Sequence, residues 1–446
     1  MKLQGRFLIV VIFISLLTSC TSNGTEETDP VVEEQQGKAE AFCYQSETPN
    51  SPIEGDYVKN RRQPLASVSK IMTSLWAMER LGINHRFITK FHVTPVGGDS
   101  IDIHMEGSKD PALGQRAAYY IMSELSQLGF NINRIETLSF DENVLFDWRL
   151  EQPDRIGGNT PFFKTQNDQN AATERNLSYG FGIQLDQTQF RQLQSEANDD
   201  GILIAPISNI SARRVEFKPR SQFYRTGQTR TFIYRSSPLH RILKNMNNKS
   251  NNYIADHLFW NLGGTSEFNK FIQSSLAVSP AELEFHLGSG NNARYLNGSG
   301  KDTYNTGTCP AVIKTMVKVE KYLKNQNLKL TDIMAVARTD NQSTLEDFTG
   351  LFENAVIAKT GTVNIAKTLA GVASTARGRF YFAVLYQAES KEDADLAIGP
   401  IKEKVLELLR NNGGPQRLNY RKLIPLPFDK DSNLIEQFAI SAGDEK

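Results

Sequence analysis

Apolar positions recur along this chain with two different periods, and the changes of period divide it. From Ser67 onward, Val68, Ile71, Leu75, Met78 and Leu81 fall at helical spacing, and Gly82 follows as a stop. Between about His85 and Tyr234 short alternating segments take over, such as Phe87–Val93 and Ile101–Met105, which read as strands. One helical stretch runs from about Arg116 to Leu128, and polar, turn-rich material lies around Gln166 to Glu174. Helical spacing resumes after Ser237-Pro238, a pair suited to an N-cap and first helical position, with Leu239, Ile242, Leu243 and Met246 on the buried face. A further apolar helix carries Ile254, Leu258, Phe259 and Leu262 and ends at Gly263-Gly264. Ala355–Thr362 reads as an edge strand, Leu369–Ser374 with Phe380–Tyr386 as a hairpin, and Ser390–Arg410 as a last amphipathic helix. Ala41–Tyr44 and Tyr57–Val58 are short strand candidates.

This pattern predicts one domain built from residues 41–86 and 235–412, interrupted by an inserted, mainly β or α+β domain over 87–234. A proline-containing tail, 413–446, follows. At the N-terminus Lys2 and Arg6 precede the apolar run Phe7–Leu17, too short to span a bilayer as a helix. The run ends in Leu17-Thr18-Ser19-Cys20, which resembles a bacterial lipoprotein signal in which Cys20 is lipidated; an ordinary secretory signal is the alternative. Both place the mature protein outside the cytoplasm, and residues 21–40 read as a polar, disordered tether.

Composition narrows the function. The 446 residues carry 50 Lys+Arg and 50 Asp+Glu, a formal net charge of zero. That balance, with no basic stripe, argues against nucleic acid as a partner. Without Cys20, Cys43 and Cys309 remain; a disulfide and two buried thiols are both open. The six histidines show no ligand spacing, so no metal and no other cofactor is expected. Gly288-Ser289-Gly290-Asn291-Asn292-Ala293 fits a loose dinucleotide fingerprint, but it lacks a βαβ context and a suitably placed acid and is set aside.

The candidate chemistry starts at Ser67-x-x-Lys70. Residues three apart share a helix face, so Lys70 stands behind Ser67. A serine hydroxyl needs a base to become a nucleophile. A lysine serves only if its pKa falls by about 3 units, or about 4 kcal/mol, through burial and a second nearby cation. Ser250-x-Asn252 stands at a junction of two helices, and Lys359-Thr360-Gly361-Thr362 on a strand where Gly361 admits a ligand backbone. These three motifs in this order are those of penicillin-binding proteins and class A β-lactamases.

More of the chain resembles a narrower group. Leu65–Lys70, Glu106–Pro111, Met246–Asn252, Asn297–Gly300 and Ala358–Thr362 are similar to the DacB-type D-alanyl-D-alanine carboxypeptidase/endopeptidases, low-molecular-mass class C penicillin-binding proteins. The resemblance spans about Phe42 to Arg410, and that family also carries a large insertion between its first two motifs. Asn251 and Asn297 stand where the family usually has aspartate, and the stretch from about Trp148 to Asn209 has no counterpart in it.

The resemblance implies an α/β (α+β) transpeptidase-like fold, with an antiparallel sheet flanked by helices. It implies hydrolysis of D-Ala-D-X bonds in peptidoglycan, with β-lactams as covalent inhibitors; together with the lipoprotein-like N-terminus this places the enzyme in a periplasm, lipid-anchored to a bacterial membrane, with the outer membrane expected. Ser67 would be the nucleophile, Lys70 its base and Ser250 a proton relay. Asn252, Lys359, Thr360, Gly361 and Thr362 would bind substrate, and Asp141 would meet a free amino group of the stem peptide. The alternatives are a β-lactamase or esterase on the same fold, and a catalytically silent wall-binding lipoprotein.

Overall fold

The computed structural model describes residues 39–151, 165–296 and 300–438. The signal segment with Cys20, residues 21–38 of the tether, and Asn297, Gly298 and Ser299 lie outside the described residues. In chain order the first elements are β1 (Ala39–Ser46), β2 (Glu54–Gly55), β3 (Gln63–Pro64), α1 (Ser69–Leu81), β4 (Ile88–Gly97), β5 (Ser100–Glu106), α2 (Gln115–Gln127), β6 (Ile135–Phe140), α3 (Gln166–Gly182), α4 (Gln187–Asp199), β7 (Ala212–Phe217) and β8 (Arg230–Arg235). There follow α5 (Leu239–Asn248), α6 (Asn252–Asn261), α7 (Gly264–Phe271), β9 (Leu283–Glu284), β10 (Thr306–Gly307), α8 (Cys309–Asn325), β11 (Ala335–Val336), β12 (Val356–Val363), β13 (Ala366–Thr375), β14 (Gly378–Gln387), α9 (Lys391–Leu396), α10 (Ile398–Asn411) and β15 (Ile435–Gln437).

The first sheet is antiparallel throughout, in the order β11-β12-β13-β14-β1-β2. Strand side chains alternate between faces, and here both faces are apolar. Ala41, Cys43, Ala370, Val372, Ala383 and Leu385 pack into one core with helices α1, α6 and α8. Leu369, Ala373, Phe382 and Val384 face the other way, onto Ile401, Val405 and Leu409 of α10. The sheet is therefore sandwiched, which is the predicted fold class. Trp76 of α1 is fully buried among Phe259, Phe268 and Phe271 and anchors that helix in the core. Cys43 and Cys309 form a disulfide, with Cα atoms 6.0 Å apart, that ties β1 to the start of α8.

The second sheet runs β15-β8-β4-β5-β6-β7, antiparallel as far as β5 and parallel from β5 through β7. Parallel neighbours need a crossover; α2 supplies it between β5 and β6. Phe91, Val93, Ile103, Leu138 and Phe140 of this sheet share a core with Tyr119, Leu177, Phe181, Phe190 and Leu193 from α2, α3 and α4. A mainly β reading of this region fails, because the polar run from Gln166 is helical. Thr165 caps α3 reciprocally with Asp168, and a narrow apolar face (Ala172, Leu177, Phe181) suffices to dock it.

Other local expectations are corrected as well. Tyr57–Val58 is a turn with Tyr57 almost fully exposed, and the strand partner of β1 lies earlier, at Glu54–Gly55. β1 begins at Ala39, inside the expected tether. Pro238, not Ser237, is the N-cap of α5, and Ser237 is buried. The last amphipathic helix is broken at Ala397 into α9 and α10.

The tail has a place. Gln416 N–H donates to Ser374 O (2.9 Å) beside the β13–β14 hairpin, and Tyr420 Oη donates to Asp340 Oδ1 (2.7 Å). Farther on, Leu426 and Phe428 enter the second core, Arg86 holds Asp429 at 2.9 and 2.7 Å, and β15 pairs with β8. Among the described residues no helix is long and apolar enough to cross a membrane.

Candidate active site

Ala66–Val68 form a single tight turn that runs straight into α1. Ala66 holds φ at +45°, an unfavourable region for a residue with a Cβ. The turn leaves Ser67 partly exposed while Lys70, one turn on, is fully buried. Lys70 Nζ stands 2.8 Å from Ser67 Oγ, 2.6 Å from Asn252 Oδ1 and 3.2 Å from Ser289 O. Burial lowers the Lys70 pKa from its ordinary 10.5 to about 7, against an opposing pull from the Asp256 carboxylate. Lys359, also fully buried, is the second cation that a lysine base calls for, but its effect on Lys70 differs from that expectation. The repulsion falls on Lys359, which burial first and Lys70 second hold well below an ordinary lysine. Two buried ammonium groups that repel each other do not both stay charged, and Lys70 keeps a pKa suited to proton exchange near neutrality.

Strand β12 delivers the third motif. β11 pairs only with Ile357 and Ala358, so the Lys359–Val363 half has a ladder neighbour on one side alone, β13. Lys359 Nζ donates to Thr360 O at 2.8 Å, while Thr360 is half-buried and Thr362 exposed. Gly361 is required by contact: a Cβ there would sit 2.8 Å from Ser67 N and 2.3 Å from Thr368 Oγ1. The strand thus lies against the Ser67 amide, and Thr368 Oγ1 donates to Leu65 O (2.9 Å) to hold the turn to the sheet.

Ser250 occupies the junction of α5 and α6 with φ at +55°. Asn251 is the N-cap of α6, accepting from Ile254 N–H (3.0 Å) and donating to Leu150 O (2.8 Å), a structural task that needs no charge. Asn252, the first residue of α6, reaches Lys70. The junction is braced from behind. Asn247 donates to Ser74 Oγ (3.0 Å), and Ser74 donates to the Lys70 carbonyl (2.7 Å). Lys244, fully buried, donates to Asp340 Oδ2 (2.7 Å), Met334 O (2.6 Å) and Thr331 O (2.9 Å).

Sequence reasoning missed one contributor. Gly288-Ser289-Gly290 is no nucleotide loop but packs on α1 beside Lys70. A Cβ at Gly290 would lie 1.9 Å from Ala66 O, Gly288 O accepts from Thr73 Oγ1 (2.7 Å), and Ser289 O faces Lys70. Paired glycines around a serine were the signal; close backbone approach, not phosphate binding, is what they serve. Asn305 supports the same wall, donating to Ser69 Oγ (3.0 Å) and Leu287 O (2.6 Å).

Asp141 is placed otherwise than a substrate ligand needs. It is fully buried just past β6, and its Oδ1 accepts from Gly107 N–H and Asn143 N–H at 3.0 Å each. Burial raises its pKa. The carboxylate closes a turn and offers no exposed atom. His92 and His104 are buried under the Phe223 ring, at centroid distances of 4.9 and 4.0 Å.

Comparison with known proteins shows the family to which the chain is similar. Residues 225–404 match the family model of the D-Ala-D-Ala carboxypeptidase 3 (S13) peptidases. The chain is similar to the predatory endopeptidase Bd0816 of Bdellovibrio bacteriovorus, solved in complex with immunity protein Bd3460. The identity is 39% and the TM-score 0.84, over 89% of this chain and 99% of that one. It is similar also to Bd3459 of the same organism, a predatory peptidoglycan endopeptidase, at 40% identity and a TM-score of 0.83 over 89% and 98% of the two chains. A penicillin G-acylated form of Bd3459 matches at 38% identity and 0.79, over 89% and 99%. Penicillin-binding protein 4 (dacB) of Haemophilus influenzae, at 16% identity and 0.54 over 85% and 97%, shares the fold. Among curated proteins none matches.

Proposed function

The chain belongs to the D-Ala-D-Ala carboxypeptidase 3 (S13) family and is a serine DD-peptidase, and from that premise we propose that it hydrolyses D-Ala-D-X bonds of peptidoglycan stem peptides and cross-links through a Ser67 acyl-enzyme. The observation that carries the reading is the 2.8 Å separation of Lys70 Nζ from Ser67 Oγ, with the lysine buried and its pKa near neutrality.

In this mechanism Ser67 Oγ attacks the carbonyl carbon of the penultimate D-alanine and its proton passes to Lys70 Nζ. The oxyanion that forms is met by the backbone N–H groups of Ser67 and Thr362, whose strand Gly361 brings against the Ser67 amide. The C–N bond then breaks, and the leaving amine takes a proton through Ser250. Asn252 orients Lys70 and the substrate amide. Lys359 takes up the substrate carboxylate, whose negative charge offsets the burial that disfavours its ammonium form, and Thr360 and Thr362 hydrogen-bond to it. Water attacks the ester, releases the D-alanyl product and returns the proton to Ser67. A β-lactam acylates the same oxygen by opening its strained amide.

Residues 41–86 and 235–412 form the catalytic part in this reading and 87–234 the insertion. The substrate lies outside the cytoplasm, and Cys20 would tether the enzyme by a lipid to a bacterial membrane, in the periplasm. Cross-link cleavage is favoured by the likeness to Bd3459, a peptidoglycan endopeptidase, and to Bd0816, an endopeptidase. The test is incubation with purified monomeric and cross-linked dimeric muropeptides. Wild type should cleave dimers and Ser67→Ala should cleave neither; equal turnover by both proteins would end the proposal. A β-lactamase of the same fold is the second reading, and its penicilloyl adduct would be lost within a turnover rather than persist.

A further inference from the structure

Among the described residues Lys70 Nζ has three neighbours at hydrogen-bonding distance: Ser67 Oγ, Asn252 Oδ1 and Ser289 O, at 2.8, 2.6 and 3.2 Å. An ammonium has three N–H bonds and satisfies all of them. A neutral amine has two N–H bonds and one lone pair. Two of the neighbours are carbonyl oxygens, which only accept; the third is a hydroxyl, which also donates. When Lys70 is neutral, its two N–H bonds are therefore taken by Asn252 and Ser289, and the lone pair is left for the Ser67 hydroxyl. Both carbonyls are needed. With one of them displaced, the amine turns freely and its lone pair is no longer aimed.

Asn252 is fixed as the first residue of α6. Ser289 lies in a loop, outside helix and strand, and its carbonyl has to be held. Asp256 does this. It is 1% exposed, and its Oδ1 accepts from Ser289 N–H at 2.7 Å while Oδ2 accepts from Ser289 Oγ at 3.1 Å. Ser289 Oγ accepts in turn from Asn291 N–H (3.2 Å). Asp256 is four residues after Asn252 on the same helix, so both point from one face toward α1. One helix thus supplies both acceptors of the lysine, one directly and one through the loop.

We propose that Asp256 is a positioning residue for this reaction: by clamping Ser289 it directs the Lys70 lone pair at the Ser67 hydroxyl. The inference rests on the reading of Ser67 and Lys70 as nucleophile and base. Asp256 has a second, opposing effect through its charge, which favours protonated Lys70. Among the described residues the charged groups that face Lys70 are Asp256 from α6 and Lys359 from β12. Geometry and charge are separable by substitution. Asp256→Asn keeps the shape, with Oδ1 accepting from Ser289 N–H and Nδ2 donating to Ser289 Oγ, and removes the charge. Asp256→Ala removes both.

The experiment measures the acylation rate by benzylpenicillin on the full-length protein against pH, with mass spectrometry locating the adduct. Asp256→Ala should lower the high-pH plateau about 100-fold, the scale of a misplacement near 1 Å, with the initial binding constant for penicillin changed less than the acylation step. Asp256→Asn should restore the plateau to within about tenfold and shift the rising limb to lower pH. A wild-type plateau in Asp256→Ala overturns the proposal, and so does an Asp256→Asn plateau as low as that of Asp256→Ala. If Asp256→Ala does not fold, Asp256→Leu, of similar size but without a hydrogen-bonding atom, takes its place with the same supporting and overturning outcomes. An adduct on a residue other than Ser67 in wild type would instead overturn the underlying reading.

Discussion

The protonation of Lys70 offers the sharpest single test, because an ordinary and a buried lysine predict very different rates between pH 5 and pH 9. Burial brings the Lys70 pKa from 10.5 to about 7, a difference of about 5 kcal/mol between the charged and neutral forms. Only the neutral amine takes the Ser67 proton, so acylation follows the neutral fraction and falls as pH drops below the folded pKa. That fraction rises about 50-fold from pH 5 to pH 7 and only about twofold from pH 7 to pH 9. An unperturbed lysine would give about a 100-fold rise over that second interval. Stopped-flow acylation with a chromogenic cephalosporin, in buffers of constant ionic strength, reads both intervals directly. Lys70→Arg sharpens the test, since a guanidinium keeps hydrogen-bond donors in place but never becomes neutral in this range; acylation should fall by at least about 1000-fold at every pH. A rate still climbing tenfold per unit above pH 8, or an arginine variant that acylates, would refute the reasoning.

Three further outcomes follow from contacts already described. Gly361→Ala puts a Cβ 2.8 Å from Ser67 N, so the strand must move; acylation should drop about 100-fold, with a stability loss of about 1–3 kcal/mol in urea unfolding. Replacing Cys43 and Cys309 by serine removes a cross-link across 266 positions and should cost about 2–5 kcal/mol, a loss that reducing agent reproduces in wild type and not in the variant. Lys244→Met strands the Asp340 carboxylate, 1% exposed, without its cation and should destabilise by about 3–5 kcal/mol; adding Asp340→Asn should recover part of that, as calorimetry would show.

What the sequence disclosed, and what it hid, follows from the range over which each signal acts. The α1 face, the β13–β14 hairpin and the three motifs were legible because helical period, strand alternation and residue spacing are local. The disulfide was open because the distance between Cys43 and Cys309 is fixed only when β1 and α8 pack on one core. Helix α3 was hidden because its stability comes from a cap and a narrow apolar face, and its mean polarity reads as a loop. Gly288–Gly290 was misread because close packing against Ala66 and nucleotide binding favour the same residue type. Asp141 was assigned by resemblance, and burial past β6 gives it a turn to close instead.

The strand β15 completes a sheet whose other members all belong to residues 88–235. A chain that stops after α10 lacks Leu426, Phe428 and β15, so that half of the molecule would be without its outer rung and part of its interior. Maturation of segments in chain order leaves that half unfinished until residues beyond α10 join it. A nonsense mutation a few codons upstream of Leu426 would cripple the insertion rather than merely trim a loose end.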